Sequence, residues 1–173
     1  MAELRELLNE RGWRVTVDSA PLPDGRVKEE LRIHRADSVQ VIAIPSPGRI
    51  LLIREYRPFL GQYVWMLPSG KADKPEDVDL ALAAQRELRE ETGFRADHLE
   101  HFHTCFYSES FVFKNHIYIG RDLVKDPLPQ DDSELIEVHE MALEEAMDII
   151  NAQTPTHVLS GYALLKFAQS LHK

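Results

Sequence analysis

The chain has 173 residues, with 20 Lys and Arg against 29 Asp and Glu, for a formal net charge of −9. Its 43% hydrophobic and 28% charged content is ordinary globular usage and excludes a disordered, collagenous or coiled-coil chain; the acidic balance, with Lys and Arg scattered, argues against a nucleic-acid partner. A single cysteine, Cys105, excludes an internal disulfide or a Cys-based zinc cluster, and no stretch nears the roughly 18 apolar residues of a membrane span, so a cytoplasmic protein with no membrane partner is expected.

In chain order, the opening MAELRELLNERGW mixes acids and bases at every turn and carries no apolar run. From Trp13 to Arg57 the pattern is strand-like: WRVTV, VKEELRIH, VQVIAI and ILLIREY, separated by PLPDGR and PSPGR, whose Pro, Asp and Gly supply turn geometry. This predicts an N-terminal hairpin leading into a sheet. Pro75 to Thr92 reads as a helix, with proline at its start, Glu76, Asp77 and Asp79 in its first turn and Gly93 as its stop. Residues 98–124 return to strand pattern, the charged loop KDPLPQDDSE follows, and two helices, Ala142–Asn151 and Thr156–Leu171, close the chain. That order fits an α+β fold, an α/β/α sandwich, better than a doubly wound sheet, which alternates strand and helix throughout.

The central helix carries the chemistry. At about 100° per residue, Glu87, Glu90 and Glu91 fall within roughly one third of the helix circumference. A Glu-rich helix face is ordinarily solvated. Here Glu87 and Glu91 continue the stripe of Leu80, Ala83 and Ala84, while Gln85 and Arg89 point away, so the acids sit on the side that meets protein. Buried unpaired carboxylates are costly and like charges one turn apart repel. A hard divalent cation removes both penalties, and Mg²⁺ prefers carboxylate oxygens while keeping waters with which to meet phosphates.

Arg86-Glu87-Leu88-Arg89-Glu90-Glu91-Thr92-Gly93-Phe94 resembles the second half of the Nudix box, G-x5-E-x7-R-E-U-x-E-E-x-G-U with U a bulky apolar residue. Upstream, REYRPFLGQYVWMLPSGK resembles the strand and loop that precede the box in the branch cleaving ADP-ribose and other nucleoside diphosphate sugars. The resemblance implies a Nudix fold with a mixed sheet over residues 38–173, and a β extension over residues 1–37 that packs on that domain or on a dimer partner. The first half of the box departs from the pattern. Counting back from Arg86 puts Ala72 at the first glycine and Val78 at the first glutamate; Gly70 lies two residues too far upstream, and Glu76 or Asp77 is left as the replacement acid. Met66 stands where that branch usually has glutamate.

The resemblance implies Mg²⁺ as cofactor, with Mn²⁺ as a substitute, held by Glu87 and Glu91, with Glu90 completing the cluster and the Ser69 backbone carbonyl adding an oxygen. Arg86 would hold these carboxylates in place. In QDDSELIEVH, Glu134 falls at a further metal position and Asp132 at the catalytic base position, although three acids beside two prolines on composition alone read as a solvated loop. Arg54, Arg57 and Trp65 are candidate substrate contacts, because arginine grips diphosphate bidentately and an indole offers a face to a base. His101, His103 and His116 show no metal spacing, and Cys105 reads as core. The implied function is Mg²⁺-dependent hydrolysis of a nucleoside diphosphate sugar, of ADP-ribose or GDP-mannose type, by a homodimer. The alternatives are another substrate, such as a dinucleoside polyphosphate, a nucleoside triphosphate or NADH, or a non-catalytic domain that binds a nucleotide sugar.

Overall fold

The computed structural model describes residues 4–131 and 133–171. Strands β1 (Leu4–Glu10), β2 (Trp13–Pro21) and β3 (Val27–His34) form an antiparallel meander. β4 (Ser38–Ala43), β5 (Arg49–Arg57), β6 (Gln62–Met66) and β7 (Ser69–Lys71) precede helix α1 (Leu80–Thr92). β8 (Phe94–Phe106), β9 (Phe111–Val112), β10 (Lys114–Lys125) and β11 (Ile136–Ala142) lead into α2 (Leu143–Ala152) and α3 (Val158–Ser170).

The central sheet has the order β7-β4-β10-β8 and is mixed, β4 running parallel to β10 and β10 antiparallel to β8. A second sheet, β11-β5-β6, is antiparallel throughout. Alternation along the strands sorts the core into two layers. Val39, Val41 and Ala43, with Leu51 and Tyr118, meet Ala83, Ala84 and Leu88 of α1. Ile42, Ile50, Leu52, Ile117 and Ile119 meet Ala146 and Ile150 of α2 and Ala163, Leu164 and Phe167 of α3. With helices on both faces, every residue of β4 is buried, and the α+β sandwich expected from the sequence is the fold observed.

The closing helices shift by one or two residues, to Leu143–Ala152 and Val158–Ser170, and two larger differences from expectation concern α1 and the opening segment. α1 begins at Leu80 rather than Pro75, because the Asp79 side chain accepts the Leu82 N–H as N-cap, and an N-cap of this kind contributes about 1 kcal/mol. Glu76 and Asp77 therefore precede the helix instead of filling its first turn, whereas Gly93, at φ 77°, does close it. The opening segment, which shows no apolar run, is strand β1. It is the outer strand of its sheet, so only one edge and face need a partner, and the turn to β2 has both central residues at positive φ, Arg11 at 52° and Gly12 at 77°, the geometry that suits a two-residue hairpin. The N-terminal sheet joins the rest of the chain through parallel pairing of β3 with β9 and through Trp13, whose ring meets Phe113 edge-on at 6.5 Å.

Candidate active site

A cavity of about 710 Å³ opens between α1, the β4–β7 edge, the N-terminal end of α3 and the loop before β11. The α1 stripe supplies its acidic wall. Glu91 is 6% exposed, and its Oε2 accepts the Ser69 N–H at 2.7 Å. Burial pushes its carboxyl well above the usual range, and the nearby Glu87, Glu134 and Glu55 add to the effect against the Ser69 hydrogen bond. Burial likewise lifts Glu87 to about 7, against the pull of Arg86. Glu134, from the loop before β11, is raised by burial and by Asp131.

Arg86 organises this wall from behind. Its Nη1 donates to Glu87 Oε1 at 2.9 Å and Glu90 Oε2 at 2.8 Å, and its Nη2 donates to the Lys71 carbonyl at 2.9 Å. Its Nε and Nη2 also grip both oxygens of Asp77, at 3.0 and 2.8 Å. Burial opposes the charged form, but Asp77, Glu87 and Glu90 more than offset it and hold the guanidinium protonated. Asp77, not Glu76, is thus the acid that reaches the box arginine, and Val78, 80% exposed, lies outside the site. The longer loop is shared between the two halves of the motif: Asp77 sits one residue further than the pattern from Gly70 on one side and from Arg86 on the other.

Gly70 leaves the space that Glu87 occupies. A Cβ added at Gly70 would lie 2.1 Å from the Glu87 carboxylate. Since that carboxylate ends a flexible side chain, Gly70→Ala is expected to displace it rather than unfold the chain. The expected result is about tenfold or greater loss of metal-stimulated activity with a thermal midpoint within a few degrees of wild type. Unchanged activity would show that Glu87 need not sit against Gly70.

The three substrate candidates separate. Arg57 lines the cavity, ion-paired to Glu55 Oε2 at 2.9 Å and touching Met66 Sδ at 3.2 Å. With methionine at 66, the carboxylate facing Arg57 comes from Glu55, a residue the sequence reading passed over; burial raises its carboxyl. Arg54 and Trp65, paired across β5 and β6, do not line this cavity. Arg54 is one residue from Glu55, so strand alternation turns it to the other face, where it stacks on Tyr63 at 4.4 Å and pairs with Glu137 at 3.0 Å. The Trp65 ring meets His139 at 4.7 Å. Asp132 lies outside the described residues. Sequence reading also missed Arg35, held over the Phe113 ring at 3.8 Å, and His157; neither has a motif around it.

Among the described residues, no three His, Cys, Asp or Glu side chains converge as a ready-made metal cluster: Arg86 draws Glu87 and Glu90 to itself while Ser69 holds Glu91. The donor set nevertheless fits a hard divalent cation in its chemistry. Buried carboxylates that resist ionisation by mutual repulsion and desolvation are what such a cation relieves.

The NUDIX domain pattern matches residues 34–160. The chain belongs to the Nudix family. It is a Nudix hydrolase. It is 26% identical over 151 residues to the ADP-ribose pyrophosphatase of Bacillus subtilis (strain 168), covering 86% of this chain and 80% of that one. It is 30% identical over 163 residues to the CMP-5'-(N-acetyl-N-hydroxy-3-aminopropyl)phosphonate hydrolase of Streptomyces rubellomurinus, covering 92% and 76%. A crystal structure of an ADP compounds hydrolase shares the fold at a TM-score of 0.82, with 24% identity over 98% of this chain and 92% of that one. No helix among the described residues of this Nudix hydrolase is long and apolar enough to cross a membrane.

Proposed function

We propose that this Nudix hydrolase is a divalent-metal-dependent diphosphatase, with Mg²⁺ as cation and Mn²⁺ as substitute. It splits a nucleoside diphosphate sugar of ADP-ribose type, or of the related GDP-mannose type, into a nucleoside monophosphate and a sugar phosphate. The observation that carries the reading is the pair of buried, hard-to-ionise carboxylates, Glu87 and Glu91, on one wall of a cavity whose other side presents the Arg57 guanidinium. Acids of that kind call for a cation, and a cation beside the partly exposed Arg57 guanidinium, which keeps donors beyond its Glu55 pair, suits a diphosphate. The printed names of relatives, ADP-ribose pyrophosphatase and ADP compounds hydrolase, support the substrate class.

In this reading Glu87, Glu91, Glu90, Glu134 and the Ser69 carbonyl would hold the metal. When bound, the cation would draw charge from the phosphate oxygens and acidify the attacking water. Arg86 keeps the α1 carboxylates in position, Arg57 binds the diphosphate, and Asp132 accepts the proton from water. Two prolines and a run of acids give the loop from Pro127 to Glu134 few apolar anchors of its own, and its closure over the diphosphate is expected when the cation is bound. Its base is in fact tied to the helix, Arg89 Nε donating to the Asp126 carbonyl at 2.9 Å and the Leu128 N–H reaching the Arg89 carbonyl at 3.4 Å.

A panel of nucleoside diphosphate sugars, dinucleoside polyphosphates, nucleoside triphosphates and NADH, incubated with Mg²⁺ or Mn²⁺ and read as coupled phosphate release, tests the reading. The highest kcat/KM is expected for a nucleoside diphosphate sugar. A clear preference for triphosphates would overturn it. On the preferred substrate, Asp132→Ala should lower kcat far more than it raises KM; normal turnover, with Glu134→Ala inactive, would move the base to Glu134 or to a box carboxylate such as Glu90.

The same resemblance supports a homodimer in which the N-terminal sheet packs on the partner. Leu7 and Leu8 of β1 and Val27 and Leu31 of β3 are all about half exposed or more, and burying them would remove an apolar face from water. Light scattering at micromolar concentration should give twice the 19.9 kDa chain mass; a value near 19.9 kDa rejects the dimer.

A further inference from the structure

The floor of the cavity carries neutral hydrogen-bonding groups that the reaction described above leaves unused. Gln40 on β4 is fully buried and Asn115 on β10 is 1% exposed. Both line the cavity, and the register that pairs Asn115 with Ser38 and Ile117 with Gln40 puts them on one sheet face, one step apart on neighbouring strands. Among the described residues, Gln40 Oε1 and Asn115 Nδ2 are buried without a hydrogen-bond partner. Buried amide atoms in folded chains are nearly always paired, so an orphaned acceptor beside an orphaned donor points to a group that completes them.

His157, the residue before α3, supplies a third group. Ser160 Oγ accepts from Gln40 Nε2 and from the Leu67 N–H, each at 2.9 Å, which occupies both of its lone pairs. Its own proton therefore goes to His157 Nδ1, 2.7 Å away. With Nδ1 accepting, the imidazole proton sits on Nε2, which has no partner among the described residues. Burial, with Arg57 nearby, lowers the imidazole to about 4, so it stays a neutral donor at ordinary pH.

We infer that Gln40, Asn115 and His157 form the subsite for the sugar hydroxyls of the substrate, the hydroxyl proton going to Gln40 Oε1 and the hydroxyl oxygens accepting from Asn115 Nδ2 and His157 Nε2–H. This rests on the nucleoside diphosphate sugar reading. Diphosphate oxygens, which only accept, leave Gln40 Oε1 unsatisfied, whereas a hydroxyl both gives and takes. A nucleobase edge also does both, but it wants a flat aromatic slot, and the aromatic residues lining this cavity, Trp13 and Tyr107, belong instead to the cluster around Arg35 and Phe113. The floor groups thus read the sugar end, while metal and Arg57 hold the diphosphate.

The test compares ADP-ribose with a simple alkyl ester of ADP, which keeps the base and diphosphate and lacks the sugar. In Asn115→Asp, which reverses the donor, and His157→Phe, the ratio of kcat/KM for the sugar substrate over the ester should fall about tenfold or more, the scale of one lost hydrogen bond to a buried partner. An unchanged ratio overturns the assignment, and so does a loss that follows replacement of adenine by hypoxanthine rather than removal of the sugar. Should either variant fail to fold, wild-type protein with a fully O-methylated sugar decides: equal kcat/KM for methylated and free sugar overturns the inference. If wild type cleaves no nucleotide sugar, the reaction reading fails by itself, and calorimetry still tests the subsite. Ribose 5-phosphate should bind about tenfold tighter than inorganic phosphate, and equal affinity would reject it.

Discussion

Glu91→Gln should lower metal-dependent kcat about 100-fold or more while leaving the fold intact. Glutamine keeps the shape and an oxygen to accept the Ser69 N–H, so the 2.7 Å hydrogen bond that orients the side chain survives. What disappears is the charge that a hard cation would need from this 6% exposed carboxylate. Without metal the same substitution removes a carboxyl that burial and Glu87 already disfavour as an anion, so the thermal midpoint should hold or rise. Full activity in the purified variant would sink the acid-wall mechanism. The pH dependence of the metal-free protein follows from Glu87, raised by burial from 4.5 to about 7. Between those values the folded chain holds a proton that the unfolded chain has released. Stability from this group is therefore present below about 4.5 and is lost as pH rises through about 7, a change on the order of 3 kcal/mol by linkage. Added Mg²⁺ should flatten that slope, read as midpoint against pH with and without the cation. A metal-free midpoint that rises between about pH 5 and 8 would contradict it.

The sequence made the sandwich and the acidic helix legible because both depend on local periodicity. Leu80, Ala83, Ala84 and Glu91 share a stripe at helical spacing, and that stripe is buried against β4 and β10. VQVIAI and ILLIREY are apolar enough to read as central strands, and they lie in the sandwich between the helices. Legibility failed where a residue's role depends on a partner far along the chain. Glu55 reads as one more charge in IREY, yet β5 pairing turns it, with Arg57, into the cavity and sends Arg54 away. Period-two alternation along β5 already separated Arg54 from Arg57; only the choice of face needed the structure. The family resemblance implies β structure there, but the residue pattern does not show β1, because an edge strand shields few of its residues and LRELLNE satisfies its strand through pairing with β2 rather than through an apolar pattern. The hydrogen bond from Ser160 to His157, three residues before it, is oriented by Gln40 and the Leu67 N–H from two distant parts of the chain, and no spacing encodes that.

Asp77→Ala should be the most destabilising single change in the motif, at about 2–3 kcal/mol, the range for charge-assisted hydrogen bonds. The Asp77 side chain is 1% exposed and is held by both Arg86 contacts and by the Lys74 N–H at 3.1 Å. Removing it costs Arg86 its bidentate partner and loosens the turn that leads to the Asp79 cap. The Arg86 contacts to Glu87 and Glu90 remain, so the guanidinium should pull harder on those carboxylates and weaken metal binding as well; the metal concentration for half-maximal activity should rise together with the loss of stability. Strict counting along the family pattern assigns Arg86's partner to position 78 instead. That alternative is separable by experiment, because Val78 is 80% exposed and a glutamate there would project into solvent. Val78→Glu should change stability by less than about 0.5 kcal/mol, as exposed substitutions do, and should not rescue Asp77→Ala. Denaturant midpoints for the two single variants and the double variant decide between the registers. Restoration of stability by Val78→Glu in the double variant would return the arginine's partner to the counted position and show that the loop re-forms around it. Additive behaviour instead means that the two extra loop residues were absorbed by moving the acid, one residue on each side, while the arginine stayed in place on α1.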